Sequence, residues 1–204
     1  MNKTMEDFIK ELSSDAPIPG GGGASALIGA IGLALCAMVA NITTRRQKGF
    51  QEELDMSSLL ERTTNCTKRL LELIQKDGEA FEPLSRAYRL PVEAPDRELI
   101  MEKALIEAAT VPLELLEEVG QSIDILEELF EKGAKLVISD VAVAASSCKS
   151  AMEGAIMNVY CNTRSMKNRE YALLLNDRAE QLFNEGVGRC NIIYQKVKEE
   201  LIRL

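Results

Sequence analysis

The chain has 204 residues, 46% hydrophobic and 27% charged, enough for one domain with a real core, and its net charge is −8. That balance argues against a nucleic-acid partner, because phosphate binding needs a basic face. Histidine is absent, which excludes Ser-His and Cys-His nucleophile systems and most zinc sites; no metal is expected, and proton transfer falls to carboxylates, Lys, Tyr, Cys or water.

Thr4-x-x-Asp7 reads as a capping box opening a short helix with Phe8, Ile9 and Leu12 on one side. A loop over residues 13–23 follows, ending in Pro17-Ile18-Pro19-Gly20-Gly21-Gly22-Gly23. Glycine runs are commonly plain turns. Here the run feeds a helix N-terminus, whose first N–H groups lack internal partners and can hold a negative or strongly dipolar group.

No residue from Ala16 to Thr44 is charged. That length could span a membrane. The Pro/Gly start, however, leaves only about 20 apolar residues, rich in Ala and Gly, between amphipathic neighbours. Ala26, Ala30 and Ala34 form an i, i+4 row with Gly29, Gly32 and Cys36 beside it, which suits close helix packing. The expected element is a central core helix rather than a membrane span. No secretory signal is read, since the apolar run begins late and lacks a cleavage context.

Arg45, Arg46 and Lys48 end this helix. Cations there complement the helix dipole, or they attract an anionic ligand.

Residues 51–90 read as a long amphipathic helix interrupted by Gly78 and Pro83, with a kink or break expected one turn from Asp77. Asp77 is then either a solvated surface residue or a carboxylate beside freed backbone groups. Pro95 suits the first position of the next helix, over 96–132, which Pro112 kinks and Gly133 closes.

Ser139 or Asp140 then caps a small-residue helix over 141–160. Asp140 and Asn158 share a stripe on it but lie about 27 Å apart along a straight helix, so they serve one site only if the helix breaks or across a dimer. A last amphipathic helix covers 168–204. With aromatics at 4% and no β-like alternation, the expected fold is an all-α single-domain bundle of five to seven long, proline-kinked helices. Five widely spaced cysteines form no C-x-x-C pair, which fits a reducing, cytoplasmic setting.

Several of these segments, taken in order, resemble the formiminotransferase-cyclodeaminase C-terminal family. They are Pro19-Gly20-Gly21-Gly22, Ser25-Ala26-Leu27, residues 37–43, Asp77-x-x-Ala80-Phe81, Leu90-Pro91, Val111-Pro112-Leu113, Ser139-Asp140 and Asn158-Val159-x-x-Asn162. The resemblance covers nearly the whole chain. It implies a helical homodimer that binds a tetrahydrofolate derivative as substrate, with Gly20, Gly21, Gly22, Gly23, Ser25 and Asn158 lining the pocket. Arg45, Arg46 and Lys48 would pair with the glutamate tail.

Asp77 is the first choice for proton transfer and Asp140 the second. The implied reaction is hydrolysis of 5,10-methenyltetrahydrofolate to 10-formyltetrahydrofolate, or else cyclodeamination of formiminotetrahydrofolate with release of ammonia. Two departures stand out. Gly23 occupies a position where the family carries serine, and Gly133-Ala134-Lys135-Leu136 replaces a Gly-Asn-x-Asn run. They leave open a folate-binding or scaffold protein that has lost catalysis; a third reading is a small-residue helix dimer of purely structural role.

Overall fold

A computed structural model describes residues 4–46 and 50–203, with the side chains of 50–54 outside the description. The elements are α1 (Met5–Leu12), α2 (Gly21–Arg46), α3 (Phe50–Tyr88), α4 (Arg97–Lys132), a short 3-10 turn (Lys135–Val137), α5 (Ile138–Thr163) and α6 (Arg169–Ile202). The fold is an all-α, single-domain bundle, as the sequence periodicity predicts.

α2 is its centre. It packs against α3 on one flank, α5 on the other, and α4 behind. A Cβ at Gly29 would lie 3.3–3.4 Å from Leu70 of α3, Ala151 of α5 and Val119 of α4 at once. A larger side chain there would force three helices apart. At Gly32 the obstacle is backbone, the Ala144 carbonyl at 3.1 Å. Small residues thus let α5 lie close on α2. The exception in the expected row is Ala34, which is exposed. By length and composition α2 could cross a membrane; in this fold it is the spine of the bundle.

Cross-helix contacts fix the directions. α3 runs antiparallel to α2, with Asp77 at Gly23 and Leu70 at Gly29. α4 runs antiparallel to α3 through Arg62–Glu128, Arg69–Glu118 and Lys76–Glu114. α5 is antiparallel to α2, and α6 lies beside α5 with Lys149 bonded to Asn191. One large core joins α2 to α6, and a smaller cluster around Leu84, Leu105 and Met166 closes one end.

Neither proline ends its helix, since Pro83 lies inside α3 and Pro112 inside α4. Pro112 deprives the Ala108 carbonyl of its helical donor. Asn162 of α5 supplies the replacement, its Nδ2 donating to Ala108 O at 2.9 Å. The backbone group freed by the proline therefore becomes a tie between two helices.

Several boundaries differ from expectation. The Thr4–Asp7 capping box is present, but Phe8 alone of the α1 side chains is buried and Ile9 is exposed. Pro95 lies in the preceding turn, and Asp96, with φ of 59°, is the residue before α4. α5 begins at Ile138, so Ser139 and Asp140 lie inside its first turn rather than capping it. Asn168 caps α6, accepting from Tyr171 N at 3.0 Å. Cys36, Cys66, Cys148 and Cys190 are buried free thiols and Cys161 is exposed.

Candidate functional site

The glycine run is mostly helix, not loop. α2 starts at Gly21, and the first N–H to find a carbonyl is that of Ala24, donating to Gly20 O at 3.0 Å. A helix start made of glycines has no side chain of its own to cap it. Asp77 caps it from α3, accepting the Gly23 N–H at Oδ2 over 2.9 Å. A carboxylate at a helix N-terminus is also favoured by the helix dipole.

The approach is close enough to dictate sequence. A Cβ on Gly22 would fall 2.0 Å from Asp77 Oδ1, so position 22 must be glycine while Asp77 holds this place. Gly23 is different, because a Cβ there would meet Asp77 Oδ2, Ile74 and Pro19 at an ordinary 3.7 Å. The Cβ of a serine would find room where this chain has none.

α5 supplies the second wall. The Asn158 amide lies against Gly21, 3.4 Å from where a Cβ would stand, and its Nδ2 donates to Gly154 O at 2.8 Å. Ser25 donates to Gly21 O at 2.7 Å. A Cβ on Gly154 would come within 2.1 Å of the Ser25 hydroxyl. Gly154 therefore belongs to the site's framework, although in the sequence it is one small residue among many. The roof is the segment carrying the cis Ile18–Pro19 bond, with Ile18 packed on Gly78, the residue after Asp77.

Burial pushes the Asp77 carboxyl above the usual carboxylate range, and the Gly23 N–H bond offsets that only in part. The net result is a half-buried carboxylate at the start of α2 that holds a proton more readily than an exposed one. Beyond the roof, a cavity of about 300 Å³ opens between α1 and α3, walled by Phe8, Ile18, Pro19, Ile74 and Gly78. Glu79 and Glu82 also line it, and Asp77 does not.

The structure thus brings together Gly20, Gly21, Gly22, Gly23, Ser25, Asp77 and Asn158. It sets Arg45, Arg46 and Asp140 apart from them. The far end of α2 packs on the α4–α5 junction, where Ala134 N donates to Thr43 Oγ1 at 2.8 Å. Asp140 sits beside that junction in the first turn of α5, and Arg45 and Arg46 are exposed near it. Gly21 and Arg45 are about 36 Å apart along a straight helix. Lys48 lies outside the described residues. Among the described residues, no group of three or more Cys, Asp or Glu could hold a metal ion.

A family profile described as formiminotransferase-cyclodeaminase matches residues 4–181. A methenyltetrahydrofolate cyclohydrolase from Methylorubrum extorquens is 36% identical over 98% of both chains. The formimidoyltransferase-cyclodeaminase of Mus musculus is 29% identical over 95% of this chain, which spans only 36% of that longer protein. The crystal structure of formiminotetrahydrofolate cyclodeaminase from Thermotoga maritima superposes with a TM-score of 0.82 at 28% identity, covering 96% of this chain and 98% of that one.

Proposed function

The chain belongs to the formiminotransferase-cyclodeaminase family, an enzyme family of folate one-carbon chemistry, and from that premise we propose that it hydrolyses 5,10-methenyltetrahydrofolate to 10-formyltetrahydrofolate. The observation that carries this reading is the half-buried Asp77 carboxylate at the glycine start of α2. The full-length match to a cyclohydrolase supports the choice of reaction.

In this reaction water adds to the cationic methenyl carbon that bridges N5 and N10. Asp77 takes one proton from the attacking water, and its negative charge favours the cationic substrate. The bond from carbon to N5 then breaks as the hydroxyl becomes the formyl carbonyl. Asp77 returns its proton to N5, and the hydroxyl proton leaves to solvent. One proton is released overall.

The Gly20–Gly23 backbone, Ser25 and Asn158 position the pterin end. Asp140 is a second proton-transfer candidate, and Arg45, Arg46 and Lys48 pair with the glutamate carboxylates. The protein works as a homodimer in the cytoplasm, with no metal, nucleic acid or membrane involved.

The second reading is cyclodeamination, in which N10 attacks the formimino carbon and ammonia leaves after protonation. It is favoured by the structural likeness to the Thermotoga maritima cyclodeaminase. One pair of assays separates the two: loss of methenyltetrahydrofolate absorbance, and ammonia release from formiminotetrahydrofolate. The first activity without the second is expected. Ammonia release would select cyclodeamination, and folate binding without either activity would make this a binding protein.

A further inference from the structure

α1 and the loop after it form a segment of their own. Thr4 and Asp7 cap each other, Ser13 donates to Ile9 O, Ser14 to Glu11 O, and Ala16 N to Ser14 Oγ, bonds that all close within the segment. Its seat on the bundle is apolar. Phe8, 5% exposed, is the one buried side chain of α1, and half-buried Leu12 packs on the core one turn later.

Phe8 walls two cavities. One, of about 300 Å³, is shared with Ile18 and Pro19, the other, of about 390 Å³, with Leu27 and Leu71, and Ile74 of α3 lines both. With open space on two sides, a single aromatic peg carries the docking of the helix. Eight residues do not hold a helix alone in water, so undocking Phe8 also unfolds α1.

The same segment leads to the carboxylate. Ile18 stands 3.4 Å from where a Cβ on Gly78 would be. Pro19, Ile74 and Asp77 Oδ2 converge on Gly23, each 3.7 Å from its Cβ position. Ile74 therefore joins the two places, walling the cavities of Phe8 and the glycine start alike.

We propose that Phe8 is a positioning residue for Asp77: its docking folds α1 and seats the Ile18–Pro19 roof, so that residues 4–19 close over the glycine start as a lid. Closed, the lid keeps Asp77 half-buried. Open, it admits water to the carboxylate, which then gives up its proton more easily. Around Asp77, α2 and α5 present the neutral Gly22, Gly23 and Asn158. Glu11 of α1 and Glu79 and Glu82 of α3 line the cavity beside the roof, and Lys76 of α3 pairs with Glu114 of α4. Burial and the Gly23 N–H are what move the Asp77 carboxyl. The lid stands on docking and enclosure; that its closure serves proton transfer rests on the folate reading.

Hydrogen exchange read by mass spectrometry tests the lid. In the wild type the amides of α1 should exchange at least about tenfold faster than those of the buried middle of α2. Phe8→Ala should speed α1 further and leave α2 unchanged, whereas Ile9→Ala, on the exposed side of the same helix, should change neither. Equal protection of α1 and α2 in the wild type would overturn the lid. So would a Phe8→Ala chain that opens both together or does not fold, since α1 would then belong to the cooperative core.

Positioning is read by the carbon-13 titration of the Asp77 carboxyl, identified by its absence from Asp77→Asn. Its midpoint should lie above the ordinary carboxylate range in the wild type, fall towards that range in Phe8→Ala, and return most of the way in Phe8→Leu. A midpoint unmoved by Phe8→Ala would overturn the positioning role. The acid limb of kcat/KM should move with the titration; a limb that stayed in place would refute Asp77 as the proton carrier and not the lid. A wild type that neither binds nor turns over folate would refute the folate reading, with exchange and titration still judging the lid.

Discussion

Asp77 carries two duties that pull in opposite directions. As the cap of α2 it accepts the Gly23 N–H, which favours the charged form. As a half-buried group it is pushed toward the neutral form, and burial is the larger effect. The folded chain therefore holds this proton more tightly than the unfolded chain does. The contribution of Asp77 to stability is fullest below the ordinary carboxylate pKa and is lost as pH rises through the raised value.

Asparagine keeps the acceptor for Gly23 without the buried charge. Asp77→Asn should consequently melt no lower than wild type at neutral pH, with any gain vanishing as pH falls through the carboxylate range; calorimetry over pH reads this. In the wild type kcat/KM should rise with pH along an acid limb whose apparent pKa lies above the usual carboxylate range, and that limb should be missing from the residual activity of Asp77→Asn. Gly22→Ala should displace the Asp77 carboxylate, since its Cβ would stand 2.0 Å from Oδ1. A drop in turnover of about 100-fold, with helical content retained, is the expected signature.

Between elements, close approach and proline repair dominate. The α2–α5 contact depends on Gly154 leaving room for the Ser25 hydroxyl. Gly154→Ala should destabilise by about 1–3 kcal/mol through overpacking, and adding Ser25→Ala should recover most of that, as urea unfolding would show. The α4–α5 contact depends on Asn162 serving the carbonyl that Pro112 strands. Asn162→Ala should cost about 1–3 kcal/mol in the wild type, and much less in a Pro112→Ala background where the helix supplies its own donor.

Helix existence was legible from periodicity, as was the central place of the uncharged α2. The glycine run reads as loop in the sequence because Gly21–Gly23 have poor helix propensity. What makes them helical is Asp77, 54 positions away, and propensity has no view of that. Ile9, Leu174 and Ile192 sit at apolar positions yet are exposed; a helix packed on one side leaves part of any wide apolar stripe in solvent. Gly154 and Asn162 were hidden for the same reason as Gly22, since each matters through a partner on another helix.

At the scale of the whole molecule, one long helix joins two chemically different ends. The glycine end gathers Asp77, Ser25 and Asn158. The other end holds Asp140, Arg45 and Arg46, which sequence could list but not place. The antiparallel packing of α5 on α2 puts Asp140 beside the cations and away from Asn158.

The central claim is that the chain turns over a folate through Asp77. Its most direct test is the rate of loss of 5,10-methenyltetrahydrofolate absorbance with the wild type and with Asp77→Asn, both verified as folded. Wild-type hydrolysis well above the spontaneous rate is predicted, with Asp77→Asn slower by about 100-fold or more. Near-wild-type turnover by Asp77→Asn would contradict the account.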